Sequence, residues 1–329
     1  MSAPALELRG VSKTFRTRGA APLRAVIDVT LEIAAGECLA LVGESGSGKS
    51  TLARIALRLI EPDAGDVMLG GQSLMRLGRD ALRRARRHMQ PIFQDPAASF
   101  NPRRNIRSTL QQTVAAGGGR HAGDEELSEL LAAVRLKPAA DYLERYPHEL
   151  SGGQRQRLAV ARALAPRPDV IIADEPLSGA DVSIRAEILN LLVDLQMQRG
   201  VAYLLITHDM LVARAFSRQI AVMYRGRIVE QGSTDEVLAR PLHPYTQRLL
   251  AVVPSLDAPP RAYASEALDV SASAGCAYRP RCPLAGALCC QIAPTLRKHG
   301  TNHSAACHYA ENAGAGDPQD LLQPCLARE

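Results

Sequence analysis

A glycine-rich loop that ends in a lysine and two hydroxyl residues is the stretch of the sequence best suited to chemistry. Residues 43–51 match G-x-x-x-x-G-K-[ST], a pattern whose backbone N–H groups surround the phosphates of a nucleotide. An apolar run precedes the loop and apolar residues at helical spacing follow it, so the loop is predicted to join a buried strand to a helix. In such a loop Lys49 reaches the β- and γ-phosphates, and the Ser50 hydroxyl ligates Mg²⁺. The residues predicted to bind the phosphates of ATP are Gly43, Glu44, Ser45, Gly46, Ser47, Gly48, Lys49, Ser50 and Thr51.

Two adjacent carboxylates end a second apolar run. Asp174 and Glu175 follow residues 170–173, which are all apolar. Hydrolysis of a nucleotide needs support for the metal ion and a group that polarises the attacking water. We therefore expect Asp174 to support Mg²⁺ and Glu175 to act on the water. Gln94 and His208 each end a further apolar run, where a polar side chain is predicted to face the γ-phosphate.

Apolar runs alternate with helical patterns along most of the chain, which predicts an α/β fold with a parallel sheet. The carboxyl ends of parallel strands line one crevice, so the polar groups that end these runs should meet there. The alternating stretches near the N-terminus predict an antiparallel β patch. The predicted organisation is an ATPase domain over residues 1–240, with a helical insert at about 96–168, and a loop-rich extension over residues 241–329.

Composition argues against a nucleic-acid partner. The net charge of +5 is mild for 329 residues. The basic stretch at residues 79–87 is interpreted as the solvated face of a short helix. The sequence has no apolar run of about 18 residues, the length that a membrane-spanning helix needs. Residues 1–10 also show no basic stretch followed by an apolar one, the pattern of a secretory signal, so we expect the chain to stay in the cytosol.

A second anion site is indicated between the phosphate loop and the acidic pair. Residues 150–157 read LSGGQRQR, where Ser151 and the amides of two glycines begin a predicted helix. This string resembles the signature motif of ATP-binding cassette (ABC) ATPases, and the resemblance covers residues 5–240. It implies a RecA-like phosphate-loop core and a head-to-tail dimer, in which each ATP lies between one phosphate loop and the other subunit's signature motif. The signature residues thereby implied at the nucleotide are Ser151, Gly152, Gly153 and Gln154.

The same resemblance gives roles to single residues. It implies that Phe15 stacks on adenine and that Asp181 is the D-loop aspartate. Gln94 corresponds to the Q-loop glutamine, which also faces Mg²⁺ with Ser50 and Asp174, and His208 corresponds to the switch histidine. One departure is visible, because Gly179-Ala180 stands where the family has Ala-Leu before the D-loop aspartate. The missing leucine is predicted to loosen contact across the dimer.

Further stretches are similar to the F-type ATPases of oligopeptide/dipeptide importers. They are IFQDP at residues 92–96, NPR at 101–103, DVS at 181–183, HPYT at 243–246 and the cysteine-bearing tail. This resemblance implies an ATP-hydrolysing subunit of an inner-membrane importer of di- or oligopeptides, peripheral on the cytoplasmic face. The implied partners are a second, D-type ATPase in a heterodimer, two membrane permease subunits and an extracytoplasmic solute-binding protein.

Two other functions remain open at this stage. Nickel, glutathione or another small solute can replace the peptide, since the ATPase does not touch the cargo. A soluble ABC ATPase that acts on ribosomes or DNA is a different class. The single phosphate loop and the lack of a large insertion or coiled-coil pattern in this sequence argue against it.

Six of the seven cysteines lie at or beyond Cys276. Four of them, with the spacing C-x5-C-x6-C-x17-C, are able to supply thiolates to Zn²⁺ or to an iron–sulfur cluster. The resemblance implies a [4Fe–4S] cluster, with Zn²⁺ as the alternative and free thiols in a loose tail as the simplest reading. Cys290 is a rival ligand, and His303 or His308 is able to replace a thiol in a zinc site. The four candidate ligands are Cys276, Cys282, Cys289 and Cys307.

Overall fold

The computed structural model describes residues 3–16, 19, 21–116, 118, 122–178, 182–251 and 275–312. The strands are β1 (Leu6–Phe15), β2 (Leu23–Ile33), β3 (Cys38–Val42), β4 (Ala64–Leu69), β5 (Gln72–Ser73), β6 (Met89–Ile92), β7 (Val170–Asp174), β8 (Ala202–Thr207), β9 (Gln219–Tyr224), β10 (Arg227–Ser233), β11 (Arg297–Lys298) and β12 (His303–Ala305). The helices are α1 (Lys49–Ala56), α2 (Arg79–Ala85), α3 (Ile106–Ala116), α4 (Asp124–Ala133), α5 (Ala140–Leu143), α6 (Gly152–Leu164), α7 (Val182–Arg199), α8 (Met210–Phe216), α9 (Thr234–Ala239), α10 (Pro244–Ala251) and α11 (Ala287–Gln291).

The larger sheet has the strand order β11-β12-β10-β9-β3-β8-β7-β6. Its centre, from β9 to β6, is parallel, and the remaining strands add to it in antiparallel fashion. Strands β7 and β8 are mostly apolar up to their last residues, Asp174 and Thr207, because both sheet faces are covered. Ile171 and Tyr203 face one core, whereas Ile172 and Leu204 face the other. The predicted parallel α/β sheet is therefore confirmed.

The antiparallel patch at the N-terminus is a separate sheet of order β2-β1-β4-β5. Strands β1 and β2 pair over most of their length, and β4 pairs with the other edge of β1. The alternation of apolar and polar residues in β1 places Leu6, Leu8 and Val11 in the core. This sheet packs its apolar side on α1, since residues of both belong to one hydrophobic cluster.

Among the described residues between β6 and β7 are the helices α3 to α6. Helices α3 and α4 come first in this part of the chain. Helix α6 begins where the SGGQ string predicts, because Ser151 and Gln154 form a capping box: each side chain accepts from the other's backbone N–H. Among the described residues no helix has both the length and the apolar content needed to cross a bilayer.

The described part of the C-terminal extension is loop-rich, as expected, and it is also attached to the core sheet. Strand β12 pairs with β10, and β11 pairs with β12, so the extension lengthens the core sheet. Between these strands and α10, the described part of the extension holds short turns and α11. A strand of three residues has no readable alternation, which explains why the sequence did not indicate this pairing.

Candidate nucleotide site

The phosphate loop is built by close backbone packing around two glycines. Strand β3 ends at Val42, and helix α1 begins at Lys49. A Cβ atom on Gly43 would lie 2.2 Å from the carbonyl oxygen of Met223, and one on Gly48 would lie 2.2 Å from that of Ala25. Gly48 also has φ +109°, a conformation that favours glycine. The glycine spacing of the motif is therefore required by the shape of the loop itself.

Lys49 is held in place before any phosphate arrives. Its ammonium group donates to the carbonyl oxygens of Gly43 at 2.7 Å and Glu44 at 2.8 Å, and only 5% of the residue is exposed. Burial lowers the pKa of Lys49, while the carboxylates of Glu175, Asp174 and Glu44 oppose that shift. A buried lysine at the start of a helix, at the base of a glycine loop, is suited to an anion with several charges.

The acidic pair of β7 lies directly opposite the loop. The Ser50 hydroxyl donates to Asp174 Oδ1 at 3.2 Å. Burial raises the pKa of Asp174, and the hydrogen bond from Ser50 opposes this shift. A hydroxyl and a carboxylate within one hydrogen bond fit the oxygen ligands that Mg²⁺ takes beside a nucleotide phosphate.

Glu175 is the meeting point of two polar side chains from neighbouring strands. Gln94 Nε2 donates to Glu175 Oε2 at 3.1 Å, and His208 Nδ1 lies 3.3 Å from Glu175 Oε1. Glu175 adopts φ +46°, an uncommon conformation for a residue with a side chain, and its N–H donates to Ile206 O at 2.9 Å. Strained backbone of this kind is concentrated at functional sites. The prediction that the polar ends of these strands meet is confirmed.

A cavity of about 550 Å³ joins these groups. Its walls come from the phosphate loop on one side and from Gln94, Glu175 and His208 on the other. The arrangement is able to hold a triphosphate and Mg²⁺ at the loop, and to place Glu175 against a water molecule on the far side. Bound Mg²⁺ would neutralise phosphate charge. The loop residues that line the cavity are Ser45, Gly46, Gly48, Lys49, Ser50 and Thr51.

Other predicted residues lie elsewhere. Phe15, at the end of β1, is half-buried and does not line the cavity, although Ala25 of the neighbouring strand does. The signature residues 151–154 form the start of α6 and do not line the cavity either. Ser151 and Gly152 are exposed, so another chain can reach them. Asp181 and the Gly179-Ala180 departure lie outside the described residues.

The four predicted cysteine ligands share one region of the extension. The charges of Cys307, Cys276 and Cys289 all act on the Cys282 thiol, and burial raises its pKa to about 12. Burial likewise raises the pKa of Cys307 to about 11. Nevertheless, in the part of the chain that the structure describes, no three or more His, Cys, Asp or Glu side chains are arranged to hold a metal ion.

The phosphate loop makes two contacts with the C-terminal part of the chain that no sequence pattern indicated. Arg281 forms an ion pair with the Glu44 carboxylate, and the Tyr245 hydroxyl accepts from the Glu44 N–H. Both partners lie about 200 residues or more from the loop, so no local pattern could show them.

The α/β fold, the strand–glycine loop–helix unit and the opposed acidic pair define a nucleoside triphosphatase of the phosphate-loop class. Comparison with known proteins refines this class. The family profile described as ABC transporter matches residues 26–178, and the profile described as oligopeptide/dipeptide transporter, C-terminal region, matches residues 229–289.

Relatives match over nearly the whole chain. It is 40% identical to the oligopeptide transport ATP-binding protein AppF of Bacillus subtilis, over 92% of this chain and 96% of AppF. It is 40% identical to the di/tripeptide transport ATP-binding protein DppF of Pseudomonas aeruginosa, over 89% and 92%. A Brucella ovis protein provisionally named as a peptide import ATP-binding protein is 44% identical, over 92% and 97%.

A solved structure shares the fold. The ATP-binding cassette MJ0796, in a dimeric post-hydrolysis state with ADP and Pi, matches with a TM-score of 0.62 and 30% identity, over 70% of this chain and 98% of that one. The chain belongs to the ABC transporter ATP-binding proteins that have the oligopeptide/dipeptide C-terminal region. It is an ABC ATPase that uses ATP with Mg²⁺, and it works with membrane permease subunits, peripherally at a membrane.

Proposed function

We propose that this chain is the ATPase that energises an importer of di- or oligopeptides, bound to the cytoplasmic face of the inner membrane. The observation that supports it best is the match of residues 229–289 to the oligopeptide/dipeptide region. The same chain carries the phosphate loop, the Asp174-Glu175 pair, Gln94 and His208 at one site. Relatives named for oligopeptide and di/tripeptide transport agree with this substrate class.

The catalytic roles proposed here follow the geometry of the cavity. Lys49 and the loop amides bind the β- and γ-phosphates, while Ser50, Asp174 and Gln94 would hold Mg²⁺, which would neutralise phosphate charge. Glu175 takes the proton of the attacking water. His208 and Gln94 hold the Glu175 side chain, because each is within hydrogen-bond distance of one of its oxygens.

The exposed signature residues support a dimer as the working form. Ser151 and the glycine amides after it, at the start of α6, offer donors to a phosphate but do not line this chain's own cavity. In a head-to-tail dimer they would complete the site of the opposite subunit, with Asp181 at the dimer contact and Phe15 against adenine. The second subunit is proposed to be a different, D-type ATPase, as the F-type features of this chain imply.

Two permease subunits and an extracytoplasmic solute-binding protein complete the proposed importer. The helices between β6 and β7 belong to the proposed insert at about 96–168, which begins just after Gln94. Its position links movement at the γ-phosphate to the permeases. The ATPase domain is proposed to end near residue 240, where the extension begins.

Co-purification from membranes tests the partner assignment. The full chain with an N-terminal tag is expressed at its native level and recovered from detergent-solubilised membranes. We expect two integral membrane proteins and a second ABC ATPase of different sequence, together with peptide-dependent ATP hydrolysis when the solute-binding protein is added. Recovery with ribosomes or DNA instead, or of this chain without membrane proteins, would contradict the assignment.

The four cysteines are proposed to hold a [4Fe–4S] cluster, with Zn²⁺ as the alternative. Their shared region supports this proposal, although their described positions do not form a metal site. Anaerobically purified protein should contain iron and acid-labile sulfide, and a Cys282→Ser variant should lose both. Zinc in place of iron would favour the alternative, and the absence of all three would refute the metal proposal.

A further inference from the structure

The phosphate loop contains an acidic residue whose charge is neutralised from the C-terminal extension. Arg281 donates to both carboxylate oxygens of Glu44, at 2.9 and 3.1 Å. This bidentate geometry is the strongest form of an arginine–carboxylate pair. The Arg281 side chain is 17% exposed and the Glu44 side chain 38% exposed, so the pair lies partly out of solvent. The extension therefore contacts the phosphate loop at Glu44, the second residue of the glycine-rich motif.

A second contact fixes the backbone at the same residue. The Glu44 N–H donates to the Tyr245 hydroxyl at 2.7 Å, and Tyr245 is fully buried. Its ring packs against Tyr224 of β9 and Tyr278 of the extension, with ring centroids 4.6 and 5.5 Å away. The hydroxyl is thus held rigidly by an aromatic cluster, and it fixes the direction of the Glu44 peptide group.

This peptide group matters because its other end contacts the phosphate-binding lysine. That end is the Gly43 carbonyl oxygen, which accepts from Lys49 Nζ at 2.7 Å, and the carbonyl oxygen of Glu44 itself accepts from the same Nζ at 2.8 Å. The Glu44 carboxylate also acts electrostatically on Lys49. Without Arg281, an uncompensated negative charge would stand beside the place where a triphosphate must bind, and it would repel the nucleotide.

We propose that Arg281 and Tyr245 are positioning residues for ATP binding, through which the C-terminal extension sets the charge and the backbone geometry of the phosphate loop. Arg281 cancels the charge of Glu44, and Tyr245 orients its peptide group. Neither residue lines the cavity, so both act through Glu44 and not on the nucleotide directly. The inference rests on the proposed nucleotide site at this loop.

The test is the affinity of the full-length chain for Mg²⁺–ATP, measured by isothermal titration calorimetry. Arg281→Gln should raise the dissociation constant about threefold to tenfold, the range for loss of a partly exposed charge-assisted pair. Arg281→Lys should recover part of the lost affinity, because lysine keeps the positive charge but lacks the planar guanidinium that donates to both carboxylate oxygens. Tyr245→Phe removes only the hydroxyl and should weaken binding by a smaller factor.

A double variant separates charge compensation from simple support of the fold. Glu44→Gln/Arg281→Gln should bind ATP more tightly than Arg281→Gln alone, because the repelling charge has been removed as well. Loss of folding support would not be relieved by a second substitution at Glu44. In ATPase assays Arg281→Gln should raise the KM for ATP while kcat changes less than about twofold, since Arg281 contacts none of the groups around the attacking water.

Two further variants serve as controls. Arg279→Gln removes an arginine from the same short helical turn, one that contacts Cys290 O and not the loop, and should bind ATP as the wild type does. Lys49→Ala tests the site itself and should abolish binding. If Lys49→Ala binds normally, the proposed nucleotide site is wrong. If Lys49→Ala fails to bind but Arg281→Gln binds normally, or if the double variant is no better than Arg281→Gln, the positioning role is refuted.

Discussion

Glu230 joins the core sheet to two separate parts of the C-terminal extension. The side chain is fully buried on β10, and its Oε1 accepts from the Leu242 N–H and from His303 Nε2, both at 2.7 Å. Its Oε2 accepts from the His243 N–H at 3.0 Å. Three donors converge on two oxygens, so only an acceptor with no proton of its own fits there. Glu230→Gln keeps the shape of the side chain and should therefore isolate the hydrogen-bonding contribution.

The expected loss of stability follows from these three bonds. Glutamine has only one acceptor oxygen. In its better orientation this oxygen keeps the two partners of Oε1, and the amide NH₂ then faces the His243 N–H, so that two donors face each other. One buried hydrogen bond to a charged group is worth about 1.5–3 kcal/mol, and the two others weaken when the charge is removed. We expect the free energy of unfolding to fall by about 3 kcal/mol.

Urea unfolding is the assay, followed by near-ultraviolet circular dichroism. The chain contains no tryptophan, and Tyr224, Tyr245 and Tyr278 form a cluster at the junction, so the tyrosine signal reports the attachment of the extension. Glu236→Gln, at an exposed position on α9, is the control and should change stability by less than about 0.5 kcal/mol. A loss below about 1 kcal/mol for Glu230→Gln would refute the reasoning.

Three other predictions concern pH, the loop and the metal. Burial lowers the pKa of His243 from 6.5 to about 4, although Glu230 opposes the shift. The unfolded chain therefore binds a proton at this histidine at a higher pH than the folded chain does. Stability should therefore fall as the pH drops from 6.5 towards 4, and urea midpoints measured against pH should show a flatter fall for His243→Gln. Gly48→Ala should abolish ATP binding in calorimetry because its methyl group would meet the Ala25 carbonyl, whereas Gly78→Ala, in open space, should not. Asp174→Asn should raise the Mg²⁺ concentration for half-maximal ATP hydrolysis about tenfold or more, and an unchanged requirement would contradict its role.

Features set by short stretches of sequence could be predicted. The phosphate loop, Gly43 to Thr51, is recognisable because its residue types, the strand before it and the helix after it all lie within about twenty residues. Helix α6 begins at its predicted place because Ser151 and Gln154 cap it locally. The meeting of Gln94 and His208 at one edge followed from the rule for parallel strands.

Features set by distant residues could not be predicted. Glu230 lies beside the polar residue Gln231 on β10 and gives no local sign that two later segments will bury it. The contact of Arg281 with Glu44 spans 237 positions, and Arg281 shares its turn with a second arginine, Arg279. The contact of Phe15 with adenine stays a prediction: Phe15 does not line the cavity of this chain, whereas Ala25 of β2 does. Such pairings depend on tertiary packing, which overrides local pattern.

The role of Glu175 in ATP hydrolysis is the central claim, and Glu175→Gln tests it most directly. The amide keeps the contact with Gln94 but cannot take a proton from water. In the detergent-solubilised complex the variant should bind ATP with an affinity within about twofold of the wild type, while kcat falls about 10²- to 10⁴-fold. A variant that hydrolyses ATP within about threefold of the wild-type rate would contradict the assignment of Glu175 and the account of the site.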